Sequence, residues 1–332
     1  MLAVFFRPWY HAGWKAGDTL FEDFIQAVGR HDTIILHRHS HPDGDALGSQ
    51  IGLKHILLAA YPQKRVLTVG DAAGRYAFMA DSVMDSVPDE MYRDALAVVL
   101  DTSSPSLISD GRYTLAAESA RIDHHLFIGP ICQVEVVDST FESCCGLIVS
   151  LAQEALWPVP KAAAEALFIG MVTDSGRFRY DQTNAGTFRR AAFLMEQGVD
   201  LDQIYLPLYR ETLSDKKRRA AFAEKIRVTP HGVGYVYSDG AAVASFGLSP
   251  DDLSRAMVNE MADLEGVSIW VNFTESPGGV LCELRSNGLN INPIAVKYGG
   301  GGHKKASGAR VRDRETAMAM LCDLDALAGG EA

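Results

Sequence analysis

Acidic and histidine side chains of the types that bind divalent metals recur in four short groups, spread through the first half of the chain. The residues are His39, Asp43, Asp45, Asp101, Asp123, His124, His125 and Asp174. Each group follows a short apolar run. Carboxylates and imidazoles can together hold two metal ions, which activate a water molecule and clamp a phosphoryl group for in-line displacement. The residue types therefore indicate a hydrolase with a two-metal centre.

The first group places ligand-type side chains at positions i, i+4 and i+6. His39, Asp43 and Asp45 are separated by Pro42 and Gly44, which turn the chain tightly. Such a turn can direct three side chains into one cavity. Oxygen ligands combined with imidazole favour Mn²⁺ or Mg²⁺ over metals that select thiolates. Alternatively, either aspartate could only cap a helix that begins near residue 46.

The two isolated aspartates have the same two interpretations. Asp101 ends the apolar run 97–100, and it could form a turn or bridge two metal ions. Asp174 precedes Ser-Gly, which predicts a loop able to wrap around a site. We interpret His37 and His41 as neighbours of the site or as exposed residues, and not as ligands.

A glycine run near the end of the chain could bind phosphate. Residues 299–302 are all glycine, so their backbone N–H groups can approach an anion without a Cβ in the way. A flexible turn is the alternative interpretation. Arg285 and Ser286, at the end of a predicted strand, could form a bidentate contact with phosphate or a nucleobase. The candidate substrate contacts are Arg285, Ser286, Gly300, Gly301, Gly302 and His303.

The bulk composition is that of a globular protein, and it excludes some partners. The chain has 332 residues, of which 47% are hydrophobic and 22% charged, enough for two domains with cores. A net charge of -11 provides no general attraction for duplex DNA. A phosphorylated substrate is therefore expected to be small or short, and to be held locally by metals and a few cations.

Cysteine usage and hydropathy suggest the compartment. The five cysteines are odd in number and form no CxxC pair, which favours buried, reduced thiols over a disulfide framework or a zinc site. We find no signal-peptide core and no apolar run of transmembrane length in the sequence. We expect a cytoplasmic protein that does not associate with membranes.

Apolar runs alternate with helical patterns up to residue 210. The predicted strands are 33–36, 65–69, 95–100, 120–123 and 134–137. The predicted helices are 46–60, 144–156, 162–172, 186–198 and 201–210. This alternation predicts an α/β fold with a doubly wound, mostly parallel sheet. Because ligands bind beyond the carboxyl ends of such strands, we expect the metal-type residues to meet there.

The remaining chain predicts a linker and a second domain. We divide the chain into an N-terminal extension, a catalytic domain, a helical linker and a smaller α/β domain, over residues 1–20, 21–210, 211–225 and 226–332. The linker contains a run of four cations, 216–219, which forms a solvated helix face or, alternatively, a rim that faces phosphate. The smaller domain has predicted strands 233–237, 267–273 and 279–285 and predicted helices 251–264 and 314–327.

Five motifs, in this order and spacing, resemble the DHH phosphoesterase superfamily in its DHH–DHHA1 arrangement, and within it the bacterial nanoRNase group. They are His-Ser-His-Pro-Asp-Gly-Asp-Ala-Leu-Gly-Ser at 39–49, Val-Leu-Asp at 99–101, Asp-His-His at 123–125, Thr-Asp-Ser-Gly at 173–176 and Gly-Gly-Gly-Gly-His at 299–303. The likeness covers roughly residues 20–325. The Asp-His-His triplet alone is weak evidence, whereas all five motifs in order are highly specific.

The resemblance implies a role for each candidate. His39 and Asp43 would bind a first Mn²⁺, Asp101 would bridge, and Asp45, His124 and Asp174 would complete a second site. Mg²⁺ or Co²⁺ could take the same places. His125 would contact the scissile phosphate, and Asp123 would orient the histidines. Arg285, Ser286, the glycines and His303 would hold the far end of the substrate, with the active site in the cleft between the domains.

The activity implied is hydrolysis of phosphoric esters. The group is expected to cut short oligoribonucleotides, or linear dinucleotides such as pApA, to mononucleotides, and to remove the 3'-phosphate of 3'-phosphoadenosine 5'-phosphate (PAP). A homodimer is also implied. Alternatives are an exonuclease on longer single strands, for which the chain lacks room for an extra binding domain, and a nucleotide sensor without catalysis. A related manganese pyrophosphatase would lack the glycine–histidine motif.

Two positions depart from the family pattern. Many relatives carry an arginine a few residues after the bridging aspartate, but the stretch from Asp101 to Leu107 contains none. Glu283 stands where a small hydroxyl residue is common. Both departures concern substrate preference and leave the hydrolytic residues complete.

Overall fold

The computed structural model describes residues 20–330, which form two compact units that meet in sequence between Arg210 and Glu211. The first unit contains a five-stranded sheet in the order β2-β1-β3-β4-β5, and all its neighbouring strands are parallel. The strands are β1 Thr33–Arg38, β2 Arg65–Thr68, β3 Ala95–Leu100, β4 Glu118–Asp123 and β5 Val134–Val137. The helices are α1 Glu22–Arg30, α2 Gly44–Ala60, α3 Cys144–Glu154, α4 Lys161–Asp174, α5 Ala185–Glu196 and α6 Leu201–Tyr209. The predicted α/β class and parallel sheet are confirmed.

The two faces of this sheet are covered differently. Side chains that alternate along the strands, such as Leu36 and Val98, are buried against the α-helices. On the opposite face, Ile35 packs near Tyr92 and Val99 near Tyr113, and both tyrosines lie in short 3₁₀ helices. The 3₁₀ helices occupy the connections that flank β3, where Pro and Gly residues interrupt any longer helix. The doubly wound pattern is therefore realised with α-helices on one face only.

Close packing of α2 against α4 brings two acidic groups together. Gly44 and Gly48 on α2 face α4 so closely that a Cβ on Gly48 would overlap the carbonyl oxygen of Ala166. A side chain at either glycine would push the helices apart. Asp45, in the first turn of α2, consequently lies beside the end of α4, whose last residue is Asp174.

The second unit contains a six-stranded mixed sheet in the order β10-β11-β9-β8-β7-β6. Its strands are β6 Arg227–Val228, β7 Val233–Ser238, β8 Ile269–Ser276, β9 Gly279–Ser286, β10 Gly301–Gly302 and β11 Ala306–Val311. Its helices are α7 Leu213–Ala223, α8 Gly240–Phe246, α9 Pro250–Met257, α10 Asn292–Lys297 and α11 Arg314–Ala328. The prediction of a smaller α/β domain is confirmed, with a sheet in which only β7 and β8 pair in parallel.

Several local predictions for this unit were incomplete. Helices α8 and α10 and strand β11 were missed, because they are short and β11 contains a glycine and an arginine that obscure its alternation. The helix predicted over 251–264 ends as an α-helix at Met257. The helix predicted as a linker packs within the second unit, since Phe222 of α7 is buried in a cluster with Phe246 and Trp270.

The cysteine prediction was partly wrong. Cys144, Cys145 and Cys282 are buried free thiols and Cys132 is half-buried, but Cys322 is exposed on α11. Among residues 20–330, no helix combines the length and the apolar character that crossing a bilayer requires. The predicted N-terminal extension lies outside the described residues, apart from Leu20.

Candidate metal centre

The first group of ligand-type residues lies where β1 gives way to α2. Asp43 is the N-cap of α2, and its Oδ1 accepts hydrogen bonds of 3.0 Å from the backbone N–H groups of Asp45 and Ala46. The same Oδ1 lies 3.7 Å from Nε2 of His39. The capping interpretation of Asp43 is thus correct, and the cap also holds this carboxylate next to His39.

Asp45 is buried and held by the start of another helix. Its two carboxylate oxygens accept hydrogen bonds from the backbone N–H groups of Cys144 at 2.7 Å and Cys145 at 2.9 Å. The N-terminus of α3, with its partial positive charge, therefore stabilises the carboxylate. Burial nevertheless raises the pKa of Asp45 well above its usual value, and the charges of Asp101 and Asp174 raise it further. A bound cation would relieve this repulsion.

Asp101 lies at the centre of the group. It directly follows β3, its backbone φ is +53°, and its side chain is 3% exposed. Oδ2 lies 3.5 Å from Nε2 of His39, and Oδ1 lies 3.5 Å from Nε2 of His124. Among the described residues, the buried Oδ1 has no hydrogen-bond partner. A buried carboxylate oxygen without a donor, surrounded by imidazoles, fits a metal ligand.

His124 connects Asp101 to the remaining acids. Its Nε2 lies 3.3 Å from Oδ2 of Asp174 and 3.8 Å from Oδ2 of Asp45. Its Nδ1 lies 3.4 Å from the carbonyl oxygen of Phe141, a partner to which a ring N–H can donate. That arrangement would leave Nε2 unprotonated, as a metal ligand requires.

Distances between these atoms suit shared ions. A metal–ligand bond of about 2.1 Å in octahedral geometry separates neighbouring ligand atoms by about 3 Å. In three sets of residues the ligand atoms lie within 4.8 Å of one another. The sets are His39, Asp43 and Asp101; Asp45, His124 and Asp174; and Asp101, His124 and His125. Because Asp101 belongs to two of them, it is the carboxylate that two ions could share.

Charges within the cluster are strongly coupled. Burial disfavours a charge on His39, but hydrogen bonds to Asp101 and Asp43 outweigh it and raise the pKa of His39 to about 11. Burial raises the pKa of Asp174 to about 7, while His124 lowers it. Asp101 is the opposite case, because His124 and His39 overcome its burial and lower its pKa. Imidazolium protons thus supply positive charge that divalent ions could replace.

Asp123 positions the second histidine of the triplet. It ends β4 and is fully buried, and its Oδ1 lies 2.7 Å from Nδ1 of His125 and accepts a 3.2 Å hydrogen bond from the backbone N–H of the same residue. This contact orients the ring and selects the tautomer that carries its proton on Nδ1.

A supporting network around Asp71 was not predicted. The buried guanidinium of Arg38 donates to the carbonyl oxygen of His39 at 3.1 Å and to Oδ1 of Asp71 at 2.9 Å. The other oxygen of Asp71 accepts from the backbone N–H of His41 at 2.8 Å. Both ends of the His39–His41 segment are therefore held. The sequence signal was present, because Asp71 follows a strand just as the metal-type acids do.

The two ambiguous histidines lie outside the three sets. His37 is buried, its Nδ1 is 3.1 Å from the carbonyl oxygen of Asp110, and burial lowers its pKa to about 4, so it is neutral. His41 is exposed, with a φ of +54°. Neither joins a metal-type cluster among the described residues.

A cavity of about 210 Å³ opens over the cluster within the first unit. It is lined by His39, Asp43, Asp101, Thr102, Ser103, Leu107, His125 and Asp174. Leu107 is 48% exposed and contributes an apolar surface to the lining. Among residues 20–330, no lysine or arginine lines this cavity.

The candidate substrate contacts of the second unit lie on neighbouring strands. Arg285 of β9 is paired in register with Ala306 of β11, and β11 pairs with the glycines of β10. Gly302 has a φ of +132°, which a side chain would strain. Arg285 Nη1 lies 3.2 Å from Oε2 of Glu283, and the hydroxyl of Ser286 donates to the carbonyl oxygen of Leu289. The glycine run is thus partly a β-hairpin and not an open loop.

A parallel sheet with carboxylates and imidazoles clustered at its carboxyl edge, next to a cavity, is the arrangement of a metal-dependent hydrolase. Comparison with known families matches residues 33–171 to the DHH family, N-terminal domain, and residues 235–329 to the DHHA1 domain. The chain belongs to the DHH family of metal-dependent phosphoesterases, in its DHH–DHHA1 arrangement.

Curated relatives extend over nearly the whole chain. Several are named bifunctional oligoribonuclease and PAP phosphatase NrnA. The Bacillus subtilis protein is 33% identical, over 92% of this chain and 97% of its own length. The Mycoplasma genitalium protein is 31% identical, over 90% and 95%. A solved exopolyphosphatase-related protein from Bacteroides fragilis shares the fold, with a TM-score of 0.83, 24% identity and coverage of 92% and 95%.

Proposed function

We propose that this protein is a Mn²⁺-dependent phosphohydrolase that cuts short oligoribonucleotides and linear dinucleotides to mononucleotides and removes the 3'-phosphate of PAP. The proposal depends mainly on one observation: two sets of metal-type residues share Asp101. The names of the relatives support oligoribonucleotides and PAP as substrates, and the motif resemblance implies linear dinucleotides. The net charge of -11 agrees with short substrates, since long strands would be repelled.

Each side chain of the centre has a defined task in this proposal. His39 and Asp43 would hold one ion, Asp101 both, and Asp45, His124 and Asp174 the other. When bound, the ions lower the pKa of a water molecule and polarise the phosphoryl oxygens. His125, oriented by Asp123, would donate a hydrogen bond to a phosphoryl oxygen as negative charge develops there.

The second unit would recognise the end of the substrate away from the cleaved bond. The Arg285 side chain is 26% exposed and carries a planar set of donors suited to phosphate. Its bond to Glu283 holds the guanidinium in place and also offers a competing acid. Backbone N–H groups near Gly302 and the ring of His303 would complete the contact.

Removal of metal should abolish hydrolysis of a dinucleotide, and Mn²⁺ should restore it. The pKa of His39 is about 11 without an ion, so at neutral pH the ring is protonated and the metal must displace that proton. Apparent affinity for Mn²⁺ should therefore rise with pH, and binding should release protons that an indicator dye detects. Full turnover of chelator-treated protein would contradict the proposal.

His303→Ala should weaken substrate binding more than turnover. We expect the KM for a dinucleotide to rise about tenfold, equivalent to one charge-assisted hydrogen bond, with kcat changed less than threefold. His231→Ala is a suitable control because His231, also in the second unit, pairs with Asp325 and not with a candidate contact. An unchanged KM for the His303 variant would count against its role.

A nucleotide sensor without catalysis is the competing function. Every ligand position implied by the resemblance is filled, which favours an enzyme. The two functions are distinguished by measuring rates side by side on di- to heptanucleotides and PAP, with Mn²⁺. A sensor would bind these molecules without forming product, whereas the enzyme would release mononucleotides or inorganic phosphate.

A further inference from the structure

The cationic run of α7 is divided between two faces of the helix. On one face, Lys216 and Arg219 both pair with Glu211, and Arg219 also lies 2.8 Å from Oε1 of Glu260. These two cations are therefore neutralised by acids of the same unit. The run is not a uniformly solvated surface.

The other face of α7 lines a cavity of about 280 Å³. Its lining residues are Ser214, Lys217, Arg218, Ala221, Lys225, Ser245 and Phe246. The α7 residues in this set recur every three or four positions, which is the spacing of one helical face, and Lys225 follows just after the helix ends. We call this feature the α7–α8 cleft.

Charge in the α7–α8 cleft is only partly compensated. Arg218 is fixed, since it lies 2.7 Å from Asp215 and donates to the carbonyl oxygen of Phe246 at 3.0 Å. Within residues 20–330, no ion pair is formed by Lys217 or Lys225. Two unpaired ammonium groups around one cavity, in a chain with a net charge of -11, create a local site for anions.

The chemistry of the lining selects phosphate groups over bases. Phe246 is 6% exposed, so its ring offers almost no surface on which a base could stack. Lysine ammonium groups are mobile point charges, which contact a phosphate without demanding a fixed geometry. Contacts of this kind position a nucleic acid backbone and carry no sequence information.

We propose that the α7–α8 cleft binds backbone phosphates of oligoribonucleotides longer than a dinucleotide. This inference rests on the proposed function, because it assigns a second contact to the same class of substrate. It accounts for two unpaired lysines in one cavity of an otherwise acidic chain. It also predicts that binding depends on substrate length, since a longer strand offers more backbone phosphates than a dinucleotide does.

The test compares Lys217→Ala with Lys216→Ala. Both variants remove one lysine charge from α7, but only Lys217 lines the cleft, whereas Lys216 is paired with Glu211. We expect Lys217→Ala to lower kcat/KM for a heptaribonucleotide about fivefold at low salt, and Lys217→Ala with Lys225→Ala about twentyfold. The slope of log(kcat/KM) against log[salt] should fall by about 0.7 for each lysine. Activity on the dinucleotide should stay unchanged.

Other results would overturn the inference. Equal effects of Lys216→Ala and Lys217→Ala would show that the whole protein's charge, and not the α7–α8 cleft, attracts the RNA. Equal losses of activity on the dinucleotide and the heptaribonucleotide would show that the effect of the lysines does not depend on substrate length. If the wild-type protein cut neither RNA, the proposed function would fail. Fluorescence anisotropy of a labelled heptaribonucleotide would still test binding at the cleft. The Lys217→Ala variant should bind this RNA more weakly than the wild-type protein, and the Lys216→Ala variant should not. Equally tight binding of an oligoglutamate peptide would exclude specificity for phosphate.

Discussion

Asp101→Ala should reduce kcat by at least about 10³-fold, equivalent to about 4 kcal/mol of transition-state stabilisation. Among the described residues, Asp101 is the only side chain shared by the set with His39 and Asp43 and the set with His124 and His125, and the substitution removes it. Without it, two ions would repel each other with no carboxylate between them. Mn²⁺ content, measured by elemental analysis after gel filtration, should fall together with activity.

The Asp101 variant is expected to remain folded. Alanine in a left-handed conformation costs about 1–2 kcal/mol. Removal of the buried charge ends its attraction to His39 and His124 but also its repulsion with Asp45 and Asp174, and the two imidazoles can lose their protons in its absence. Asp81→Ala is the matched control, because Asp81 has a similar φ of +59° and pairs with His55 outside the cluster. Circular dichroism and thermal unfolding check the fold. Near-normal turnover of metal-loaded Asp101→Ala would refute the bridging role.

His125→Ala should lower kcat by about 10²–10³-fold with little change in KM, as expected when a donor acts on charge that develops in the transition state. Asp123→Asn should lower kcat by about 10–100-fold, because the amide oxygen can accept the ring N–H of His125 but carries no negative charge to support it. His55→Ala, which removes an imidazole far from the cluster, should be silent.

Metal content distinguishes two roles for His125. His125 also belongs to the set with Asp101 and His124, so it could be a metal ligand and not a phosphate contact. If it contacts phosphate, the variant should keep its Mn²⁺ and lose only turnover. Loss of one ion per chain, in parallel with activity, would instead assign His125 to the metal.

Much of the first unit followed from short-range patterns in the sequence. All five strands were predicted from short runs that contain apolar and β-branched residues. Strand β3 is apolar and buried throughout, as expected for a strand covered on both faces. Parallel pairing places residues that follow different strands at one edge of the sheet, which is why the sequence alone associates Asp101 with His124. The order of strands was not needed for that inference.

The second unit was harder to predict, for a physical reason. Strand β10 is two glycines long, and β11 alternates poorly around Gly308 and Arg310. Neither segment has a periodic apolar face, so only the pairing of β11 with β9, and of β10 with β11, makes them strands. The glycine run was consequently interpreted as a loop, although part of it is a hairpin.

The sequence by itself determined which residue types stand after which strands, and therefore the kind of chemistry open to this protein. Only the tertiary structure decided which charges are compensated. The N-terminus of α3 holds Asp45, and Arg38 fixes Asp71. Among the described residues, three of the four cations in the α7 run form ion pairs, whereas Lys217 forms none. Periodicity depends on neighbours along the chain, whereas the pairing of charges depends on groups that only the folded chain brings within a few ångströms.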